Sequence, residues 1–388
     1  MKYGPPSALR TLNEGAVLHA LFERGALTRP EIEEITGLSK PAAARLLLRV
    51  EEAGIVRRAG EKASKHGPAA VLWDIVADAS LVAGISVRAE QLWTDIADLR
   101  GTVVASAAVP NEVRGPDEVG PQVRHAVEAA LSGTGIAHDR VADITLGLPG
   151  VVEPVGGRLT HGAQLPAWVD VDIIGAVRAE MPHVDVFTSN DVALVAVAAH
   201  EVGESAGAED FALLWLDRGI RAVYVRRGEV LLGAHGSSGE IGALPVPAGI
   251  PGAADLPLAA VPGTRLEELL SPAAVAGLGD DVDAIAARVA LAGAVVLAAY
   301  DPDLILLAGS VADRYEGLAT AVRSELTFMP NAIPPVAHAP GGARAVATGA
   351  IRLSLRNARA RALGQGSSAA ADDAPLQRTY GQALAGRR

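Results

Sequence analysis

Lys40, Arg45 and Arg49 stand in the stretch Leu27 to Arg58, LTRPEIEEITGLSKPAAARLLLRVEEAGIVRR, in which Leu46, Leu47 and Val50 recur at helical spacing. If those three face inward, the cations lie on the opposite side with Ala42, Ala43 and Ala44 between them. Small residues beside basic ones let a helix approach base edges closely while its cations meet phosphates, which is the chemistry of reading a DNA groove. The spacing places Ser39 as N-cap, Pro41 in the first turn and Gly54 at the close. Glu31 to Thr36 is expected to form a shorter first helix, with Gly37 as the turn and Arg29 just before the helix, where it could touch a DNA backbone. Ser39, Lys40, Ala42, Arg45 and Arg49 are thus the expected DNA-facing residues of the second helix. An ordinary surface pair of helices shares the periodicity, but the capped, alanine-lined basic helix followed by a basic strand favours DNA.

The elements around this helix complete a recognisable unit. Ser7 can start a supporting helix whose apolar face is Leu9, Leu12, Ala16, Val17, Ala20 and Leu21. Gly54 to Arg58 begins a strand, and Ala70 to Ile75 reads as its return partner. The tip between them, AGEKASKHGP, carries Lys62 and Lys65. That is the pattern of a winged helix-turn-helix, whose wing lysines lie along a groove, although a solvated hairpin tip fits either lysine as well. The expected domain spans residues 1–78.

From Leu81 the chain alternates Val/Ile/Ala-rich strands with helices, the mark of an α/β architecture with buried sheets. Strands are expected at Leu81 to Val87, Leu92 to Asp98, Thr102 to Val109, Asp143 to Leu148, Val184 to Thr188, Phe211 to Leu216, Ala222 to Arg226 and Leu304 to Ala308. Helices are expected at Asp117 to Leu131, Val169 to Met181, Asp191 to Glu204, Asp281 to Tyr300 and Tyr315 to Leu326. This body covers residues 79–357, and residues 358–388, with QGSSAAADDAP, read as a disordered tail.

Composition narrows the function further. With 388 residues and 49% hydrophobic content the chain supports more than one core. Cysteine is absent, which excludes disulfides and thiolate metal sites. A net charge of −11 argues against a protein that coats nucleic acid with its whole surface. Residues 1–75 hold eleven Lys and Arg against nine Asp and Glu, a balance of +2 that leaves −13 on the rest. A mildly basic head on an acidic body fits a dedicated DNA module. The start lacks an apolar signal core, and the longest apolar run, Val289 to Tyr300, reads as a buried helix, so a cytoplasmic protein without a membrane span is expected.

The order of these pieces resembles the ROK family (repressors, open reading frames and sugar kinases), and within it the transcriptional regulators. The resemblance is carried by LGLPGVVEP at 146–154, GAQLPAW at 162–168, SNDVALVAVAAHEVGE at 189–204, GEVLLGAHGSSGEIGALPV at 228–246 and DPDLILLAGS at 301–310. It implies a two-lobed, actin-like, sugar-kinase-like fold behind the winged head. It also implies that Gln164, Asn190, Asp191 and Glu240 hydrogen-bond a sugar effector, with Gln164 in place of the usual asparagine and Asp191 where a kinase has its general base. A cluster of carboxylates and carboxamides can satisfy a polyol's donors and acceptors within an apolar cleft. The same Asn190-Asp191 pair also suits the N-cap of the following helix, and Glu240 suits a solvated turn.

Departures from the family pattern are as informative. A kinase needs glycine turns that bring backbone N–H groups to ATP phosphates. The first such turn falls at Ser86 to Glu90, which has neither the aspartate nor the glycines, and the second falls at Asp217 to Val223, where an aspartate, Arg218 and Arg221 stand in the way. The adenosine-side glycine pair is reduced to Ala308-Gly309. The family's zinc ligands are replaced by Ala243 and the cysteine-free PVPAGIPGAADLP, so neither metal nor cofactor is expected. The expectation is a repressor of carbohydrate genes without kinase activity, a homodimer or homotetramer on double-stranded operator DNA. A sugar kinase with an added head, and a regulator whose body only oligomerises, remain the alternatives.

Overall fold

The computed structural model describes residues 15–22, 24–63, 69–201, 208–217, 219–246, 265–330, 332–339 and 342–362. The head contains a helix over residues 15–22 (α1), strand Leu27–Thr28 (β1), helices Arg29–Thr36 (α2) and Lys40–Glu52 (α3), and strands Val56–Lys62 (β2) and Ala70–Ile75 (β3). The strands pair antiparallel in the order β1-β3-β2. The start of α2 is fixed by the Glu31 carboxylate, which accepts from the Thr28 N–H at 2.8 Å and its hydroxyl at 2.7 Å. Gly37 ends the helix at φ 70°.

Several expectations need correcting here. α2 begins two residues before Glu31, so Arg29 lies in its first turn and pairs with Glu33 at 3.1 Å. Ala43 is fully buried with Leu46, Leu47 and Val50, so it belongs to the inner face of α3 and does not separate the cations. Ser39 holds the N-cap position without a side-chain cap bond. In α1, Leu18 joins Val17, Ala20 and Leu21 in the core, whereas Ala16 is exposed. Ser7, Leu9, Leu12 and Lys65 lie outside the described residues.

The body has two five-stranded mixed sheets. Strands Leu81–Val87 (β4), Gln91–Asp98 (β5), Val103–Pro110 (β6), Val141–Leu148 (β7) and Asp185–Asn190 (β10) form the first, in the order β10-β7-β4-β5-β6. A two-stranded ribbon, Val151–Val152 (β8) and Leu159–His161 (β9), follows β7. Helices Val119–Leu131 (α4) and Ile173–Glu180 (α5) cover one face of this sheet, where Ile85, Val123, Ile144, Trp168 and Val177 share a core. Helix Asp191–Glu201 (α6) leads to the second sheet, made by Phe211–Leu216 (β11), Ile220–Arg226 (β12), Glu229–Val230 (β13), Leu304–Ala308 (β14) and Val336–His338 (β15), in the order β13-β12-β11-β14-β15. Short helices Leu266–Leu269 (α7) and Pro272–Ala276 (α8) precede the long helix Val282–Tyr300 (α9). Ser310–Arg314 (α10), Leu318–Glu325 (α11) and Gly342–Ala362 (α12) complete the set. The expected helix over Val169 to Met181 is shorter at its start because residues 169–172 are not helical and Asp172 caps α5 from position 172. By length and composition α9 could cross a membrane, contrary to expectation. Half of it is buried, with Ile285, Val289, Val296 and Leu297 in the core beneath β11, β12 and β14.

α12 was not expected, and its helical course through Ala362 carries the chain past the boundary at 358 where a disordered tail was anticipated. It lies on the back of the first sheet. A Cβ on Gly84 would come within 2.3 Å of the Ala347 carbonyl oxygen, so only glycine lets strand and helix approach this closely. The Thr145 and Ser354 hydroxyls meet at 2.7 Å in the same buried layer. At its far end Arg359 donates to the Leu99 carbonyl at 2.9 and 3.1 Å and lies over the Phe22 ring of α1 at 4.3 Å. Arg361 bridges Asp143 and Asp185, neighbours on β7 and β10. Burial raises the Asp143 carboxyl to about 6 although Arg361 pulls it down. Ile351, Leu355 and Ala358 of α12 and Val82, Ala97 and Leu99 of the first sheet share one apolar core with Leu18, Leu47 and Trp73 of the head. The head is therefore packed on the body, not strung from it.

Candidate functional site

Two places collect the chemistry. On the head, α3 turns Lys40, Arg45 and Arg49 outward, all exposed, with Ala42 and Ala44 half-buried. Lys40 and Arg45 have no ion pair among the described residues. At the end of β2, Lys62 is exposed but bound to the Glu31 carboxylate at 2.6 Å. That contact and the Thr28 bonds hold Glu31 at about 2, far below the usual carboxylate range. Any anion that approaches Lys62 must therefore compete with Glu31. Arg58, which sequence reading passed over, pairs with Glu51 at 3.0 Å and lies over Trp73 at 5.3 Å.

The second place is the cleft between the sheets. Asn190 ends β10 and caps α6. Its amide donates to the Gly150 carbonyl at 2.7 Å and to Asp191 at 3.2 Å, and its oxygen accepts from the Ala193 N–H at 3.0 Å. The capping role is thus present, and one acceptor lone pair of Asn190 remains for anything else. Asp191 accepts from its neighbour's N–H at Val192, 2.9 Å away. Burial raises its carboxyl to about 6, held back chiefly by the charges of Arg221 and Arg88.

Arg221 is the residue that sequence reading misjudged. It does not project from the turn to obstruct a nucleotide. It stands within β12, 7% exposed, and its guanidinium reaches back under the cleft. There it donates to the Gly150 carbonyl at 3.2 Å, the Gly236 carbonyl at 2.9 Å, the Ser238 carbonyl at 3.4 Å and the Glu240 carboxylate. One buried cation thus ties the loop after β7 to the loop that carries Glu240. Glu240 itself is exposed, which leaves its second oxygen free for a ligand. Asn190, Asp191 and Glu240 are brought together around Gly150 and Arg221. Gln164 is not bonded to them. It is exposed on a rim between a cavity of about 440 Å³, walled by Asn111, Arg114 and Trp168, and one of about 200 Å³ walled by Arg88, Asp217 and Ser310.

The smaller cavity lies between the turns that carry Arg88 and Asp217. Arg88 of the first turn reaches Asp217 of the second at 3.5 Å, and Asp217 accepts from the Ser310 hydroxyl at 2.7 Å. An internal ion pair spans the space between the sheets, and Arg218 lies outside the described residues. Among the described residues no group of three His, Asp or Glu could hold a metal, and the 247–264 segment lies outside them.

Residues 82–258 match the model of the ROK family. The chain carries a ROK-family domain. Among curated proteins it is similar to the DNA-binding transcriptional dual regulator NagC of Escherichia coli (strain K12), 27% identical over 251 residues that cover 63% of this chain and 59% of that protein. The chain thus spans less than two thirds of that relative's length. Among solved structures, a ROK family transcriptional regulator described as a homolog of the E. coli MLC protein superposes with TM-score 0.71 at 17% identity, covering 96% of this chain and 99% of the other. The ROK hexokinase from Thermus thermophilus superposes with TM-score 0.56 at 25% identity over 70% of this chain and 96% of the enzyme. The mixed α/β sheets of the ROK domain are of the sugar-kinase-like kind. Regulator and kinase relatives therefore share the body, and the chemistry of the cleft and head must discriminate between them.

Proposed function

We propose that this chain is a cytoplasmic transcriptional repressor: a winged helix-turn-helix head over residues 1–78 reads double-stranded operator DNA, and the ROK body responds to a sugar or sugar-derived effector without phosphorylating it. The observation that carries this reading is the junction of an outward basic helix, α3, with a body whose phosphate turns are bridged by Arg88 and Asp217. Phosphoryl transfer depends on preorganised donors aimed at the phosphates, and a turn occupied by an ion pair offers the wrong groups. The similarity to NagC, a DNA-binding transcriptional dual regulator, supports the same reading.

Arg29, Ser39, Lys40, Ala42, Arg45 and Arg49, with Lys62 and Lys65 of the wing, are the proposed DNA-facing set. Gln164, Asn190, Asp191 and Glu240 are the proposed effector set. The path between the two sites is α12. Gly342 at its start walls the smaller cavity, and Leu355, Ala358 and Arg359 near its end pack on the head. An effector that favours one placement of α12 shifts the head, and DNA must change effector affinity by the same factor. Two copies present two heads to a two-fold related operator.

The test is selection of genomic fragments by the full chain, repeated with Arg45 and Arg49 both changed to alanine. Selected duplexes should lose roughly 2 kcal/mol or more, about thirtyfold in affinity, in the double variant. Equal binding by both proteins, or no enrichment of any duplex, would remove the head's proposed role. A coupled ATP assay over a hexose panel separates the kinase alternative, which predicts turnover.

A further inference from the structure

α3 presents more than cations to its outer side. Ala43, Leu46, Leu47 and Val50 are buried, so at 100° per residue the ridge opposite them is Pro41, Arg45, Leu48 and Glu52, flanked by Ala44 and Arg49. Leu48 is 47% exposed, a large aliphatic side chain left out of the core between two arginines. Pro41 is exposed and Ala44 half-buried, so Leu48 continues a thin apolar strip along the ridge. The strip has no large apolar neighbour within α3 and is interrupted by Arg45, a poor match for a protein partner, which asks for a contiguous apolar patch. Beyond it the helix turns acidic: Glu51 is engaged with Arg58, and Glu52 is exposed. A polyanion must therefore approach the amino-terminal turns, and Leu48, about 12 Å along the axis from Lys40, is the last ridge residue before the acidic end.

The major groove offers one apolar group, the C5-methyl of thymine. We infer that Leu48 is a base-reading residue that packs on a thymine methyl in each operator half-site. The inference rests on the head being a DNA reader and adds what it reads. Arg45 and Arg49, one helical turn before and one residue after, hold the helix against the duplex while Leu48 discriminates. Leu48 is about half exposed and outside the core, so its substitution perturbs the fold far less than a core change and reports chiefly on recognition.

The experiment selects duplexes from a random pool with the full chain, then replaces each thymine of the selected half-site by deoxyuridine, which removes only the methyl. With the natural chain, one position should weaken binding about fourfold, roughly 0.8 kcal/mol, the worth of one buried methyl-sized group. Leu48→Ala should bind the unmodified duplex about as weakly and be indifferent to the methyl at that position. Its salt dependence should match that of the natural chain, since no phosphate contact is lost. Methyl sensitivity that persists unchanged in Leu48→Ala overturns the inference, as does an equal loss on unrelated duplexes. If no duplex is enriched by the natural chain, the DNA-reading head itself fails, an outcome distinct from either of these. Unchanged thermal midpoints for the two proteins establish that folding plays no part.

Discussion

Gly349→Ala pits two quantities against each other. Gly349 is a buried residue within α12, and alanine is favoured over glycine in a helix by about 1 kcal/mol, so propensity alone predicts a more stable protein. The packing predicts the reverse. A Cβ at Gly349 would lie 1.9 Å from the Leu194 carbonyl oxygen and 2.6 Å from its carbon, both backbone atoms of α6. A backbone cannot swing aside as a side-chain tip can, so α6 and α12 must part by about 1.5 Å to restore van der Waals distance. Overpacking of a dense interior costs about 1–3 kcal/mol, and a backbone clash belongs at the upper end or above it. The net expectation is a loss of about 2 kcal/mol, read as a lower midpoint in urea unfolding at unchanged slope. The same change at Gly277, where a Cβ would stand 3.4 and 3.6 Å from the Ala274 and Ala273 carbonyl oxygens, is the control and should be nearly neutral. A midpoint for Gly349→Ala equal to or above that of the natural chain would refute the close crossing and, with it, the use of α12 as the path from cleft to head.

Three further outcomes follow from the charges. Arg221→Gln should destabilise the protein by roughly 2–3 kcal/mol in the same unfolding assay, because three carbonyls and Glu240 lose a buried donor; an unchanged midpoint would mean that the loops hold each other without it. Asp191→Asn should flatten part of the stability profile between pH 4 and 6. The folded carboxyl titrates at about 6 against an ordinary 3.8, so at intermediate pH the folded state holds the extra proton and raising the pH costs it stability; the natural chain should therefore fall relative to the variant across that window, and a constant difference would contradict the burial argument. Glu31→Gln keeps an oxygen for Thr28 but releases Lys62, so DNA binding at low salt should tighten and the salt slope steepen by about one; an unchanged slope in a filter-binding titration would take Lys62 off the phosphate path.

Much of this architecture is legible in the chain before any coordinates. β4, β7, β11 and β14 are short apolar runs bounded by polar breaks, and α9 announces itself by the Asp281 cap and a long Ala/Val/Leu stretch. The inner face of α3 follows from helical spacing, because that helix buries one side only. α12 escapes the same test because it is packed on several sides at once. Val346 meets the first sheet, Ala350 shares a core with α6, and Leu355 faces the head, so its apolar residues do not make a single stripe. Its arginine-rich end looks like a polar tail, and the partners that hold it, Asp143 and Asp185, are 218 and 176 residues away. In the cleft, Asn190, Asp191 and Glu240 could be singled out by motif, but the buried guanidinium joining two loops could not, since strand β12 was expected to begin one residue after Arg221. Gln164 was grouped with the others by motif alone, and its exposed rim position reflects a loop whose course no local pattern specifies.

The apolar layer shared by the head and the body has an evolutionary consequence. Here Leu18, Leu47 and Trp73 on one side and Val82, Leu99, Ile351 and Leu355 on the other form a lock whose two halves were shaped for each other. Grafting this head onto a foreign body would strand both halves in water, so the exposed side of α3 is freer to change in such a chain than the pairing of head with body.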